Sequence, residues 1–414
     1  KKMARRVAIV GGVLGVAAAA SMVLAKRDKS VPRKKVVVVG GGYAGRSFVK
    51  TIDTNKYDVV LVDRHLHKEE RSYLSGLVKF KTLNFQPQPN YVDSISENKI
   101  VNQFMILPSE VVGIQDDCVG VDKEKNTITL KSKEVIDYDY LVFATGSIPD
   151  TYHIQMQYSC KNSMWYFFKD RSDLETLMTV FKIIGLDDVV IMGGGITGVE
   201  LASELSRRIL DSCGSKEEAA KIAKTITIVE PGERLLPKMN EEISRVVTKH
   251  LQDQKVEILT NSVITTAEDG VLRLVRNGTE KVNLKAVVAV WTCGVKADEL
   301  AMRCIGHNQV LDTLHLPSLD SSLLETTSAT VQPANVFAIG DCNHLLPKSA
   351  QNAKQQGAYL ANYFNSGFNP SAVGYKFTSQ GTMIRLADRI YMDSPLYSGF
   401  LPLWVHRVII GLDI

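Results

Sequence analysis

Short apolar runs recur along this chain and do not alternate with polar residues. Val36-Val37-Val38-Val39, Val59-Val60-Leu61-Val62, Tyr140-Leu141-Val142-Phe143, Val189-Val190-Ile191-Met192 and Val288-Ala289-Val290-Trp291 are the clearest. A strand with one face in water alternates; a strand covered on both faces does not. These runs therefore predict buried parallel strands, and the helical spacing between several of them predicts an alternation of β and α elements from Val36 onward. That pattern implies an α/β fold with doubly wound parallel sheets. The strand ending in the small-residue turn Ala144-Thr145-Gly146 is matched later by the one ending in Thr292-Cys293-Gly294. The two halves thus repeat one architectural scheme.

The N-terminal pattern is different. Val7 to Ala25 is 19 residues without a charge, bracketed by Lys1, Lys2, Arg5 and Arg6 and by Lys26 and Arg27. That length just spans a hydrocarbon core as a helix. A signal-peptide core is the rival reading, but Lys26-Arg27-Asp28-Lys29 resembles a stop-transfer flank, so a retained transmembrane helix is expected. Gly11 and Gly15 give it a GxxxG spacing suited to close helix packing.

The chemistry enters where strands meet helices. Gly40, Gly42 and Gly45 follow the first valine run, and Gly193, Gly195 and Gly198 follow the run at Val189. Such spacing allows a tight turn, close approach of backbone to a pyrophosphate, and close helix–strand packing. The pyrophosphate then rests on a helix N-terminus, where the N–H groups and the macrodipole favour anionic oxygen. An acid closes the next strand in each half, Asp63 and Glu230. A carboxylate there accepts bonds from ribose hydroxyls and repels a 2′-phosphate. Two such fingerprints in one chain predict two dinucleotides held by one protein, with the second site favouring NADH over NADPH.

Composition changes the picture little. A chain of 414 residues with 45% hydrophobic content can bury two ordinary domains. The net charge is +4, much of it in the first 35 residues, and no basic–aromatic stripe suggests nucleic acid. The six cysteines form no CxxC pair and the eight histidines no HxxxH spacing. That argues against a disulfide framework, a redox dithiol and a metal site. Cys293 and Cys342 flank the expected cofactor region and read best as small buried residues.

Val336-Phe337-Ala338-Ile339-Gly340-Asp341 resembles the second flavin motif of the two-dinucleotide-binding-domain flavoproteins. Within that superfamily, Gly198-Val199-Glu200-Leu201-Ala202, Trp291 to Val295 and, above all, Ala350-Gln351-Asn352-Ala353-Lys354-Gln355-Gln356-Gly357 are similar to type II NADH:quinone dehydrogenases. The resemblance covers roughly residues 36 to 410. It implies FAD at Gly40, Gly42, Gly45, Asp63, Thr145, Gly146, Gly340 and Asp341, and NADH at Gly193, Gly195, Gly198 and Glu230. It places Glu200 near the nicotinamide and Gln351 and Gln355 at the quinone. Hydride would pass from NADH to FAD and electrons onward to ubiquinone, without proton pumping.

The implied layout is a membrane anchor and linker over 1–35, a FAD domain over 36–155, an NADH domain over 156–295, a returning FAD segment over 296–375 and a membrane-associated C-terminal segment over 376–414, holding Trp404. A single-pass protein of the mitochondrial inner membrane follows, a bacterial-type membrane being the other reading. Its partners would be NADH, a membrane quinone and the lipid bilayer, with a homodimer or a partner transmembrane helix left open. A related reductase with another acceptor is a second reading. Two departures from the family pattern, the charged Lys68-Glu69-Glu70-Arg71 insert and the short C-terminal segment, keep a third alive, a catalytically impaired flavoprotein subunit of a larger complex.

Overall fold

The non-alternating runs are strands buried on both faces. The computed structural model describes residues 32–66, 107–152, 154, 164–169, 173, 176–177, 179–181, 188–213, 226–268, 270–305, 335–343, 347–369, 375–387 and 389–402. They form two units. The first takes the described residues up to Leu66, from Leu107 to Ser147 and from Lys296 to Ser379. The second takes those from Ile148 to Val295 and from Gln380 onward.

In the first unit β1 (Lys34–Val39), β2 (Tyr57–Val62), β3 (Val112–Ile114), β4 (Tyr140–Phe143) and β10 (Val336–Ala338) make one sheet in the order β10-β4-β1-β2-β3. All its pairings are parallel, with Val36 beside both Val59 and Tyr140. The chain leaves β1 toward β2, then returns to β4 on the other side. A crevice therefore opens at the carboxyl end of β1, the topological switch point where such folds bind ligands. Successive side chains of a strand point to opposite faces, so Val36 and Val38 pack with Phe48 of α1 (Tyr43–Thr51) and Phe364 of α5 (Ala350–Asn365). Val37 and Val39 face the other way, toward Ile128 and Leu130 in an antiparallel sheet of strands Cys118–Asp122, Thr127–Leu130 and Val135–Asp137.

The second unit repeats this plan. Strands β5 (Met164–Phe167), β6 (Val189–Met192), β7 (Ile226–Val229), β8 (Glu257–Leu259) and β9 (Val288–Trp291) are parallel in the order β8-β7-β6-β9-β5. Val189 and Ile191 pack with Val199 and Leu205 of α2 (Ile196–Ser212) and with Val247 of α3 (Glu241–Asp253). Val190 and Met192 meet Leu272 and Leu274 of a second antiparallel three-stranded sheet. The outermost strand differs in origin. It precedes the fingerprint in the second unit (β5), whereas in the first it returns from far down the chain (β10).

The described part of the C-terminal segment is an antiparallel meander of β11 (Thr382–Leu386), β12 (Arg389–Ser394) and β13 (Tyr397–Pro402). Ile384, Leu386 and Tyr391 are buried in the core around α2, so this stretch completes the second unit's hydrophobic core. The expected span at 7–25, the charged insert at 68–71 and Trp404 lie outside the described residues. No described helix is long and apolar enough to cross a membrane.

Candidate active site

The two fingerprints share the same principal hydrogen bonds. Gly40 and Gly193 leave their strands at φ +108° and +106°, a region that L side chains rarely adopt. Their N–H groups donate to Val62 and Val229 carbonyls, each at 2.8 Å, stitching the turn to the neighbouring strand. A Cβ on Gly45 would sit 1.9 Å from the Gly40 carbonyl oxygen, and one on Gly198 2.0 Å from that of Gly193. These glycines let helix and strand touch. Gly42 and Gly195 are different: an added Cβ would meet nothing within 4 Å. They are the N-caps of α1 and α2, and neither helix start carries a side-chain cap. Open space before an uncapped helix N-terminus is what a pyrophosphate requires.

The acids also act alike. Asp63 accepts from Gly41 N–H at 2.5 Å and from His65 N–H at 2.6 Å. Glu230 accepts from Gly194 N–H and Gly232 N–H, both at 2.8 Å. Both carboxylates are buried and so brace their own glycine loops. An ionised carboxylate has about four acceptor sites, so ribose hydroxyls can join these bonds.

A third turn completes the first unit. Gly340 follows β10 at φ +75°, and Asp341 accepts from Ser147 Oγ at 3.2 Å. Ser147 directly follows Thr145 and Gly146, so the two flavin segments implied by sequence meet here. Thr145 Oγ1 is buried with no nitrogen or oxygen partner, facing only the Cys342 sulfur, and Gly146 has nothing within 4 Å of an added Cβ. A buried hydroxyl with no oxygen or nitrogen partner, beside open space, fits a polar cofactor such as FAD. Lys348 Nζ donates to the Asp341 carbonyl at 2.8 Å, and burial pulls its pKa down.

The remaining candidates are spread over both units. Glu200 lies one turn into α2, 5% exposed, and accepts from the Arg385 backbone N–H of β11 at 2.8 Å. Burial pushes its carboxyl up to about 8, against the opposing pull of that hydrogen bond and of the Arg385 charge. One turn on, Glu204 pairs with Arg208 at 2.8 Å and approaches Arg385 at 4.0 Å. Gln351 is the second residue of α5; one turn on, Gln355 is occupied at both ends of its amide: Nε2 donates to Thr378 O at 2.8 Å and Oε1 accepts from Thr378 N–H at 3.0 Å. Burial pushes the Cys293 thiol up to about 12, helped by Glu230, and that of Cys342 to about 11.

Two buried polar residues escaped the sequence pattern. Arg46, 2% exposed, donates from Nε to Gly41 O at 2.9 Å and from a terminal nitrogen to Leu66 O at 3.2 Å. It ties the glycine loop to the turn beyond Asp63. Gln356, 1% exposed, accepts from Gly340 N–H at 2.6 Å and Asn343 Nδ2 at 2.7 Å. A signal existed for Gln356, which falls in phase with the stripe Ala353, Gly357, Leu360 and Phe364. For Arg46 the only hint was its place directly after the last glycine.

Two duplicated nucleotide folds with a Gly-Asp turn define a dinucleotide-dependent oxidoreductase. The chain belongs to the pyridine nucleotide-disulphide oxidoreductase family, whose model matches residues 34–357. It is 27% identical over 383 residues to a type II NADH:quinone oxidoreductase of Staphylococcus aureus, across 86% of this chain and 88% of that one. Its fold is similar to that of NDH2 from Plasmodium falciparum, solved in complex with NADH, with a TM-score of 0.69, 19% identity and coverage of 92% and 95% of the two chains. One expectation is corrected: a single-pass placement in the mitochondrial inner membrane does not stand. The staphylococcal relatives that this chain matches are bacterial proteins.

Proposed function

We propose that this chain is a type II NADH:quinone oxidoreductase, taking hydride from NADH onto FAD and passing electrons to a quinone. The observation that carries the reading is the doubled fingerprint, two glycine loops each braced by a buried acid through the same pair of backbone N–H bonds, in a chain whose staphylococcal relatives are named for this activity. When bound, FAD supplies the two-electron acceptance that the side chains cannot. The chain's own residues do the rest. Gly42 and α1 leave room and N–H groups for one pyrophosphate, Gly195 and α2 for the other. Asp341, Thr145 and Gly146 supply polar and open positions for the flavin side of the first site.

Glu230 selects the nicotinamide. A 2′-phosphate about 4 Å from its carboxylate would be repelled by about 1–4 kcal/mol between bulk-water and near-surface dielectrics. Gln351 and Gln355 are the acceptor-side candidates on α5, and Gln355 would reach a quinone only by giving up both bonds to Thr378. The lack of any CxxC pair argues against a disulfide as acceptor. Purified full-length protein should carry FAD, bleach with NADH faster than with NADPH, and turn over with a soluble quinone. Bleaching by NADH without quinone turnover would assign another acceptor; no flavin reduction by either nucleotide would overturn the reading.

A further inference from the structure

We infer that Gln356 is a positioning residue for the flavin, holding the Gly340–Asp341 turn in its binding geometry from the helix behind it. This rests on the reading that FAD occupies the first unit. Asp341 does not hold itself. The turn that presents it is short, spanning Gly340 to Cys342, and Gly340 sits at a positive φ. The Gly340 N–H and the side-chain amide of Asn343, the residue closing the turn, both donate to a single atom, Gln356 Oε1, and that amide also donates to Ala338 O at 3.4 Å. Gln356, Gly340 and Asn343 are all buried, so water cannot replace that acceptor without opening the core.

The support behind Gln356 is itself built. A Cβ on Gly357 would lie 2.2 Å from Ala44 O, so α5 presses directly on α1. Ser47 Oγ donates to Lys354 O at 2.7 Å across the same contact. Asn352 donates to Pro347 O at 2.7 Å and is held in turn by Tyr375. The helix is thereby fixed to the fingerprint helix, and Gln356 passes that fixed position to Asp341. Gln355 and Gln356 are adjacent but divide their work. The first bonds to Thr378 backbone, the second to the flavin turn.

The test uses full-length protein stripped of FAD and reconstituted. Gln356→Met keeps the side chain's length and removes the acceptor, so the buried Gly340 N–H loses its partner and the Asn343 amide loses its shorter bond. Gln356→Glu keeps an acceptor oxygen at the same place. With Gln356→Met, the FAD dissociation constant should rise about tenfold or more, as expected when a buried donor loses its acceptor. The rise in Tm on adding FAD should shrink accordingly. Gln356→Glu, assayed at pH 5.5 to limit charging of the new carboxyl, should recover most of the affinity. A residue that only supports the fold would lower Tm equally with and without FAD. Unchanged FAD affinity and an unchanged FAD-induced Tm rise in Gln356→Met overturn the inference while leaving the proposed activity intact. Failure of the unmodified protein to bind FAD overturns both.

Discussion

Glu200→Gln isolates the most perturbed carboxylate in the described protein. Its folded carboxyl is pushed from the ordinary 4.5 up to about 8 by burial, while Arg385 opposes that rise through its backbone N–H and its charge. Between those two values the folded protein keeps a proton that the unfolded chain has released. Stability must therefore fall as pH rises from about 4.5 to about 8, and stay level above that. Each tenfold change in proton affinity between the folded and unfolded states is worth roughly 1.4 kcal/mol, which sets a ceiling of about 5 kcal/mol at high pH. Glutamine keeps an oxygen for the Arg385 N–H and cannot ionise. The variant should consequently differ least from the unmodified protein at pH 4.5 and be increasingly the more stable toward pH 9. Urea unfolding of both proteins at pH 4.5, 6, 7.5 and 9 measures the gap. If it widens by less than about 1 kcal/mol across that range, not even a tenfold change in proton affinity, then Glu200 ionises normally and its burial does not govern the charge.

Gly195→Ala and Gly198→Ala should fail differently. The first adds a methyl into open space, so Tm should hold while the KM for NADH rises about tenfold or more; the second puts a Cβ 2.0 Å from the Gly193 carbonyl oxygen and should lower Tm outright. Equal Tm losses in the two would refute the division between ligand space and packing. Cys293 and Cys342, with thiols raised to about 12 and about 11 by burial, should stay unalkylated by iodoacetamide at pH 8 until denaturant is added. Rapid native labelling of Cys342, read by peptide mass, would contradict that. Glu230→Gln should narrow the preference for NADH over NADPH in flavin bleaching, since it removes the charge that meets a 2′-phosphate.

What the sequence determined by itself is what depends on neighbours in the chain. The valine runs had to be buried strands because they do not alternate, and the glycine spacings had to be strand-to-helix turns because only glycine tolerates the φ at Gly40 and Gly193. Asp63 and Glu230 were legible because each ends the next strand of its half. Only the tertiary structure decided how neighbouring side chains are used. Gln355 and Gln356 are one residue apart, about 100° around the helix, so a single packing direction must separate them. That direction is set by Gly357 against Ala44, more than 300 positions earlier in the chain. The same holds for Glu200, whose partner on β11 lies 185 residues away, and for β10, which crosses most of the chain to complete the first sheet. Local turns are written in a few dihedrals, whereas a buried polar partner is chosen only when distant segments close over it and exclude water.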